Sequence, residues 1–150
     1  MRRFYGLAEA EGAVGEPLGC SDWHEITQEQ ILRFADATHD HQWIHTDPLK
    51  AAAGPFGKTI AHGLLTLSHV PVFIAEVYEI DRLQMMLNYG FNKVRFPAPT
   101  PVNSRIRGAV EIGAVERGAK GTQVTSRVTV EMDGSDRPVC VAEMVVMCFE

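Results

Sequence analysis

The sequence predicts an α+β domain in which a mainly antiparallel sheet curls around a long central helix. Residues 60–80 are apolar on nearly every side, which suits a helix enclosed by other elements. Later segments alternate apolar and polar residues at period two and follow one another in hairpin order. The chain has 150 residues, 45% of them apolar and 22% charged, enough for one core without disulfides or a structural metal. A single domain spanning 1–150 is expected, since no repeat, low-complexity run or linker divides the chain.

From the start of the chain, Leu7-Ala8-Glu9-Ala10 reads as a short helix and Gly12 to Pro17 as a loop. Leu18 to Ile26 reads as a first strand, although its alternation is poor. Thr27-Gln28-Glu29-Gln30 is a capping box: the Thr27 hydroxyl can accept the Gln30 amide, and the Gln30 side chain can reach back. Ile31, Phe34 and Ala35 follow at helical spacing, so a helix is expected to run to about Thr38. Thr46-Asp47-Pro48 marks another helix start and Gly54-Pro55 its stop. His39 to His45 is therefore a short connection between helices.

Ile60 to Ile80 would make a helix of about 21 residues, roughly 30 Å long. That length could cross a bilayer, but His62, His69 and Glu76 are costly in lipid, and Gly63 and Pro71 interrupt the run. A central helix kinked or locally broken at Pro71 is the expectation. Met86 to Phe96, Arg105 to Ile112, Gln123 to Met132 and Val139 to Phe149 are the strands, with turns at Glu116 to Lys120 and Asp133-Gly134-Ser135. A curled sheet around a buried helix is the hot-dog fold.

Fourteen Lys and Arg against nineteen Asp and Glu give a formal charge of −5. That balance offers no footprint for nucleic acid or an anionic membrane. Cys20, Cys140 and Cys148 are odd in number. Cys140 and Cys148, eight residues apart on one strand, stand about 26 Å from each other and cannot form a disulfide. Free thiols point to a reducing compartment. The N-terminal segment has two arginines but no apolar stretch of the kind a secretory signal carries, so a cytoplasmic location is expected.

The richest polar cluster is His39-Asp40-His41-Gln42-Trp43-Ile44-His45. One reading is a metal site, because His41 and His45 would share a face if the segment were helical. The segment precedes a better helix start, however, and no second ligand cluster accompanies it, so no metal is expected. The other reading is acid–base chemistry. Asp40 and His45, five apart in a short connection, can converge on one water, and partial burial would bring both pKa values toward neutrality. The bland alternative is that Asp40 caps a turn and His45 bonds to the backbone. Ala61-His62-Gly63 opens the apolar helix. The Gly63 N–H could be approached closely and hold an oxyanion; equally, Gly63 could simply allow tight packing.

Phe34 to His45, followed by Pro48 and Ala51, resembles the hydratase-2 motif of MaoC-like dehydratases, a family that includes R-specific enoyl-CoA hydratases and nodulation-protein-N-like members. The resemblance runs from about Trp23 to the C-terminus, with His62-Gly63 at the helix start and Asn92 to Pro99 on the following strand. It implies reversible hydration of a trans-2-enoyl thioester to the (R)-3-hydroxyacyl thioester. Asp40 and His45 would be catalytic and the Gly63 amide the oxyanion donor, with His62, Gln42 and Ser68 beside the substrate. It also implies a homodimer, and no cofactor beyond the coenzyme A or acyl-carrier-protein thioester itself. His39 stands where the family has Gly, Gln42 where it has Asn, and Trp43 where it has Pro; Trp43 is expected to add bulk at the site mouth. Lys93, Arg95, Arg105 and Arg107 are candidates for the coenzyme phosphates, and Leu64, Leu67 and Ser68 for the acyl chain. A hot-dog thioesterase and a non-catalytic acyl-thioester binder are the alternatives.

Overall fold

The computed structural model describes residues 1–150. Five of its strands form an antiparallel sheet in the order β2 (Pro17–Cys20), β6 (Arg105–Gly118), β7 (Gly121–Met132), β8 (Cys140–Phe149) and β5 (Met85–Arg95). The short β3 (His24–Glu25) also pairs with β6, so the single strand expected over Leu18–Ile26 is two. Between them Ser21 turns inward: its hydroxyl accepts the Gly108 N–H at 2.9 Å. Alternation placed the inner faces correctly. Ile106, Val110 and Ile112 of β6, and Val124, Ser126, Val128 and Val130 of β7, are all buried. The hot-dog arrangement is present.

Helix α2 (Gln28–Thr38) starts on Thr27 with both bonds of the capping box formed. It ends on His39, which takes the left-handed conformation at φ 62° and ψ 19°. A side chain there costs about 1–2 kcal/mol relative to the right-handed region, which is the physical reason glycine suits this position in the resembling motif. Two short helical segments follow, α3 (Trp43–Thr46) and α4 (Pro48–Ala52), the latter capped by Asp47. The connection read as His39–His45 therefore contains a helical turn of its own.

The central helix is shorter than expected, and it has the local break that Pro71 allowed. It consists of α5 (Gly63–Ser68) and α6 (Val70–Val77), joined at His69. The break falls just before Pro71. A proline supplies no N–H and its ring crowds the carbonyl four residues back, here Leu67, so the distortion lies upstream of the ring. Tyr78 leaves the helix at φ −147° to begin β4 (Tyr78–Ile80), which pairs in parallel with the N-terminal β1 (Arg2–Phe4). Between β1 and β2, the expected first helix is α1 (Leu7–Gly12).

The sheet wraps one side of the helix. Leu65, Val70, Phe73 and Val77 are buried against it, and Phe73 packs so closely on β6 that a Cβ on Gly108 would lie 2.6 Å from the Phe73 Cβ. The other side is open: Leu64 is 60% and Val72 46% exposed. The helix is thus not enclosed all round within one chain, contrary to the reading of its sequence. Beside that open side runs β5, an edge strand carrying exposed Met85, Met86, Leu87, Tyr89 and Phe91. No helix is long and apolar enough to cross a membrane. All three cysteines are free thiols, with Cys140 and Cys148 buried.

Candidate active site

The connection after α2 and the start of α5 meet at one end of the sheet. His45, on the turn α3, is 6% exposed. Its Nδ1 lies 2.7 Å from the Ile60 carbonyl. A carbonyl only accepts, so Nδ1 carries the proton and Nε2 presents a bare lone pair. Burial holds the His45 pKa below its ordinary 6.5; the Ile60 bond opposes this, the nearby His62 adds to it and Asp40 opposes it. The imidazole is neutral near pH 7.

Asp40 lies at the rim, more than half exposed. Its carboxylate accepts the Gln42 N–H in a long bond of 3.4 Å. One carboxylate oxygen of Asp40 and one ring nitrogen each of His45 and His62 lie within 4.8 Å of one another. A single water can bridge groups at that spacing, since each of its hydrogen bonds spans about 2.8 Å. The bland readings of the sequence also hold: Asp40 does brace a turn, and His45 does bond to backbone. Those bonds are what aim the two side chains.

His62 is the member of the cluster that the sequence reading placed differently. It was expected beside the substrate, but its ring is 3% exposed and enclosed by Phe34 and His45. Its Nε2 donates to the main-chain carbonyl of Asp40 at 2.9 Å. The metal reading paired His41 with His45. In the structure His41 turns away to Asp36, its Nε2 2.8 Å from that carboxylate, and His62 takes the place beside His45. Each of the three side chains is thus held by the main chain: His62 through Nε2 on the Asp40 carbonyl, His45 through Nδ1 on the Ile60 carbonyl, and Asp40 through the Gln42 N–H.

A cavity of about 320 Å³ opens beside His45, lined by that residue, Gly63, Phe56, Ile60, Phe96, Thr100 and neighbouring residues; Asp40 and His62 do not line it. Gly63 is the first residue of α5, so its N–H has no partner within the helix. A Cβ at Gly63 would lie 3.0–3.1 Å from the Phe96 ring, so the packing reading is met, while the N–H stays free of any helical partner. The remaining expectations fare less well. Gln42 is exposed and serves as the N-cap of α3. Ser68 is exposed, its hydroxyl donating to the Leu64 carbonyl at 2.7 Å, and it does not border the cavity. Trp43 packs on Gly54 with the Lys50 ammonium 4.9 Å from its ring centre, away from the mouth. Arg105 and Arg107 are paired with Asp133 and Glu131 beside Trp23. Arg95, next to Phe96, forms no carboxylate pair, its guanidinium donating to the Val94 carbonyl. Gln28 entered the sequence reading only as part of the capping box, with no role at the site. It donates to the His45 carbonyl at 2.9 Å and accepts the Thr59 hydroxyl, tying α2 to both sides of the site.

Residues 9–133 match the MaoC like domain family. The chain belongs to that family of dehydratases, and it is a hydro-lyase. It is 52% identical to 3-hydroxyacyl-thioester dehydratase Z of Mycobacterium tuberculosis, over 97% of both chains. It is 42% identical to nodulation protein N of Rhizobium leguminosarum bv. viciae, over 94% of this chain and 89% of that one. Among solved structures it resembles an R-hydratase from Pseudomonas aeruginosa in the unliganded form, with a TM-score of 0.71, 23% identity and coverage of 89% and 86% of the two chains. A monoamine oxidase regulatory protein from Archaeoglobus superimposes with a TM-score of 0.78 at 23% identity, over 99% and 97%. These last two likenesses speak to the fold.

Proposed function

We propose that this chain adds water reversibly to a trans-2-enoyl thioester, giving the (R)-3-hydroxyacyl thioester. The observation that carries the reading is a carboxylate and a neutral imidazole within one water's reach of each other, beside a cavity that the free Gly63 N–H borders. The name of the mycobacterial relative supports the substrate class, and that of the Pseudomonas structure the (R) outcome.

In the hydration direction the water gives one hydrogen bond to the Asp40 carboxylate and one to the bare Nε2 of His45. Its oxygen attacks the β-carbon as Asp40 takes a proton. Electron density moves from the double bond onto the thioester oxygen, where the Gly63 N–H stabilises it as an enolate. The proton held by Asp40 is then delivered to the α-carbon on the same face, restoring the carboxylate. Water is added in full, no redox step occurs, and the sequence calls for no cofactor. Arg95 is the candidate partner for the coenzyme phosphates.

A second copy of the chain is proposed to cover the open side of α5–α6 and the β5 edge, where apolar side chains and unpaired backbone groups face water together. Gel filtration is expected to give twice the chain mass; elution at the mass of one chain would exclude it.

The activity is tested by following the loss of enoyl-thioester absorbance with crotonyl-CoA, with chiral analysis of the product and a parallel thiol assay. Loss of the enoyl band without thiol release, giving the (R) alcohol, is expected. Thiol release would make the chain a thioesterase. Binding with no change in either signal would make it a non-catalytic carrier.

A further inference from the structure

His62 is almost wholly buried, yet it touches both members of the proposed acid–base pair. At one edge, its Nε2–H holds the Asp40 main-chain carbonyl at 2.9 Å, across 22 positions of sequence. At one face, its ring lies on that of His45, with centroids 3.8 Å apart and planes inclined by 23°. The opposite side is closed by Phe34, 4.9 Å between ring centres. Its Nδ1 is buried without any hydrogen-bond partner. A polar atom left unpaired costs about 1–3 kcal/mol, so packing alone is a poor reason to have histidine here: leucine or phenylalanine would fill the space without that cost.

We propose that His62 is a positioning residue which sets the distance and mutual orientation of Asp40 and His45, clamping the main chain of one through its edge and the ring of the other through its face. Asp40 needs such a clamp. Its carboxylate is more than half exposed, and its side chain makes only the long contact to Gln42 and a looser one, at 4.0 Å, to the His62 Nε2. It also sits immediately after His39, whose left-handed backbone leaves the helix abruptly. His45 is held in its plane by the Ile60 carbonyl, which fixes one ring edge but not the tilt; the His62 face fixes the tilt. The charged and titratable groups facing His45 are His62 across the stack and the Asp40 carboxylate, with the Ile60 carbonyl at its edge.

This inference rests on the hydratase reading, and the two can fail separately. His62→Gln keeps an N–H donor at similar reach but removes the ring; His62→Phe keeps a ring on His45 but removes the donor. With crotonyl-CoA, His62→Phe is expected to lower kcat about a hundredfold, because displacing a reacting group by about 1 Å costs that much, and His62→Gln about tenfold. KM should change little in either, since His62 does not border the cavity. The decisive measurement is the double variant with Asp40→Asn. If His62 acts by placing Asp40, His62→Phe should cost almost nothing further once that carboxylate is gone. Full additivity in folded protein, or wild-type kcat in His62→Phe, would overturn the proposal.

A second measurement is independent of turnover. In NMR titrations of the His45 imidazole, His62→Phe should move its protonation to higher pH, because a neighbour that opposes the charge is replaced by a ring face that attracts it. An unchanged His45 titration would likewise overturn the clamp, even if the wild-type protein proved inactive on crotonyl-CoA. If His62→Phe does not fold, His62→Gln carries both measurements.

Discussion

Asp40→Asn is expected to lower kcat for enoyl-thioester hydration about a thousandfold, within the range that general acid–base groups contribute. The melting temperature should move by less than about 2 °C. The two halves of this expectation have separate causes. Asparagine matches aspartate in shape and can still accept the Gln42 N–H, so the turn survives. The side chain is exposed and buries no charge, and substitutions at such positions stay within about 0.5 kcal/mol. What the amide cannot do is take a proton from water and hand it to the α-carbon. Product should retain its stereochemistry in the residual reaction, because the cavity and the Gly63 donor are untouched. Turnover within threefold of wild type would move the base from Asp40 to His45, whose unprotonated Nε2 is the other acceptor on the same water.

Much of this site was legible because its parts are close in sequence. Asp40 and His45 are five apart, and a short connection between two helices gives five residues little choice but to meet. The Thr27–Gln30 capping box is more local still, and it formed as written. Period-two alternation identified the inner faces of β6 and β7 because each strand has one face on the core. What failed to show was whatever depends on distant partners. β1 exists only because three N-terminal residues find Tyr78–Ile80. The grip of His62 on Asp40 and His45 joins the start of α5 to the connection after α2, and no periodicity encodes it. His41 shows that a local alternative can also go unread. Its spacing from His45 suggested a shared face, whereas Asp36 on the preceding helix was near enough to draw it away. The apolar run at 60–80 promised a helix enclosed on all sides. It could not say that one chain's sheet covers only one of them, leaving Leu64 and Val72 open.

Gly63→Pro is expected to lower kcat by about 10²–10³, the loss seen when one oxyanion donor is removed, while Gly63→Ala loses only a few-fold. The pair is chosen because the local backbone accepts proline. Gly63 is the first residue of α5, where the N–H has no partner within the helix and a proline breaks no helical bond. The preceding His62 sits at φ −57° and ψ 136°, within the extended region that a following proline imposes on its neighbour. Both variants bring the same new Cβ to within 3.0–3.1 Å of the Phe96 ring. That ring is 43% exposed and can swing outward, so each variant should fold, and the shared crowding cancels in the comparison. The difference that remains is the N–H and the ring carbon that takes its place. If that N–H holds the developing enolate, the proline variant should also lose affinity for planar enolate analogues of the substrate, and the alanine variant should retain most of it. Equal kcat in the two variants would show that the negative charge is stabilised elsewhere and that Gly63 is glycine only to make room for Phe96.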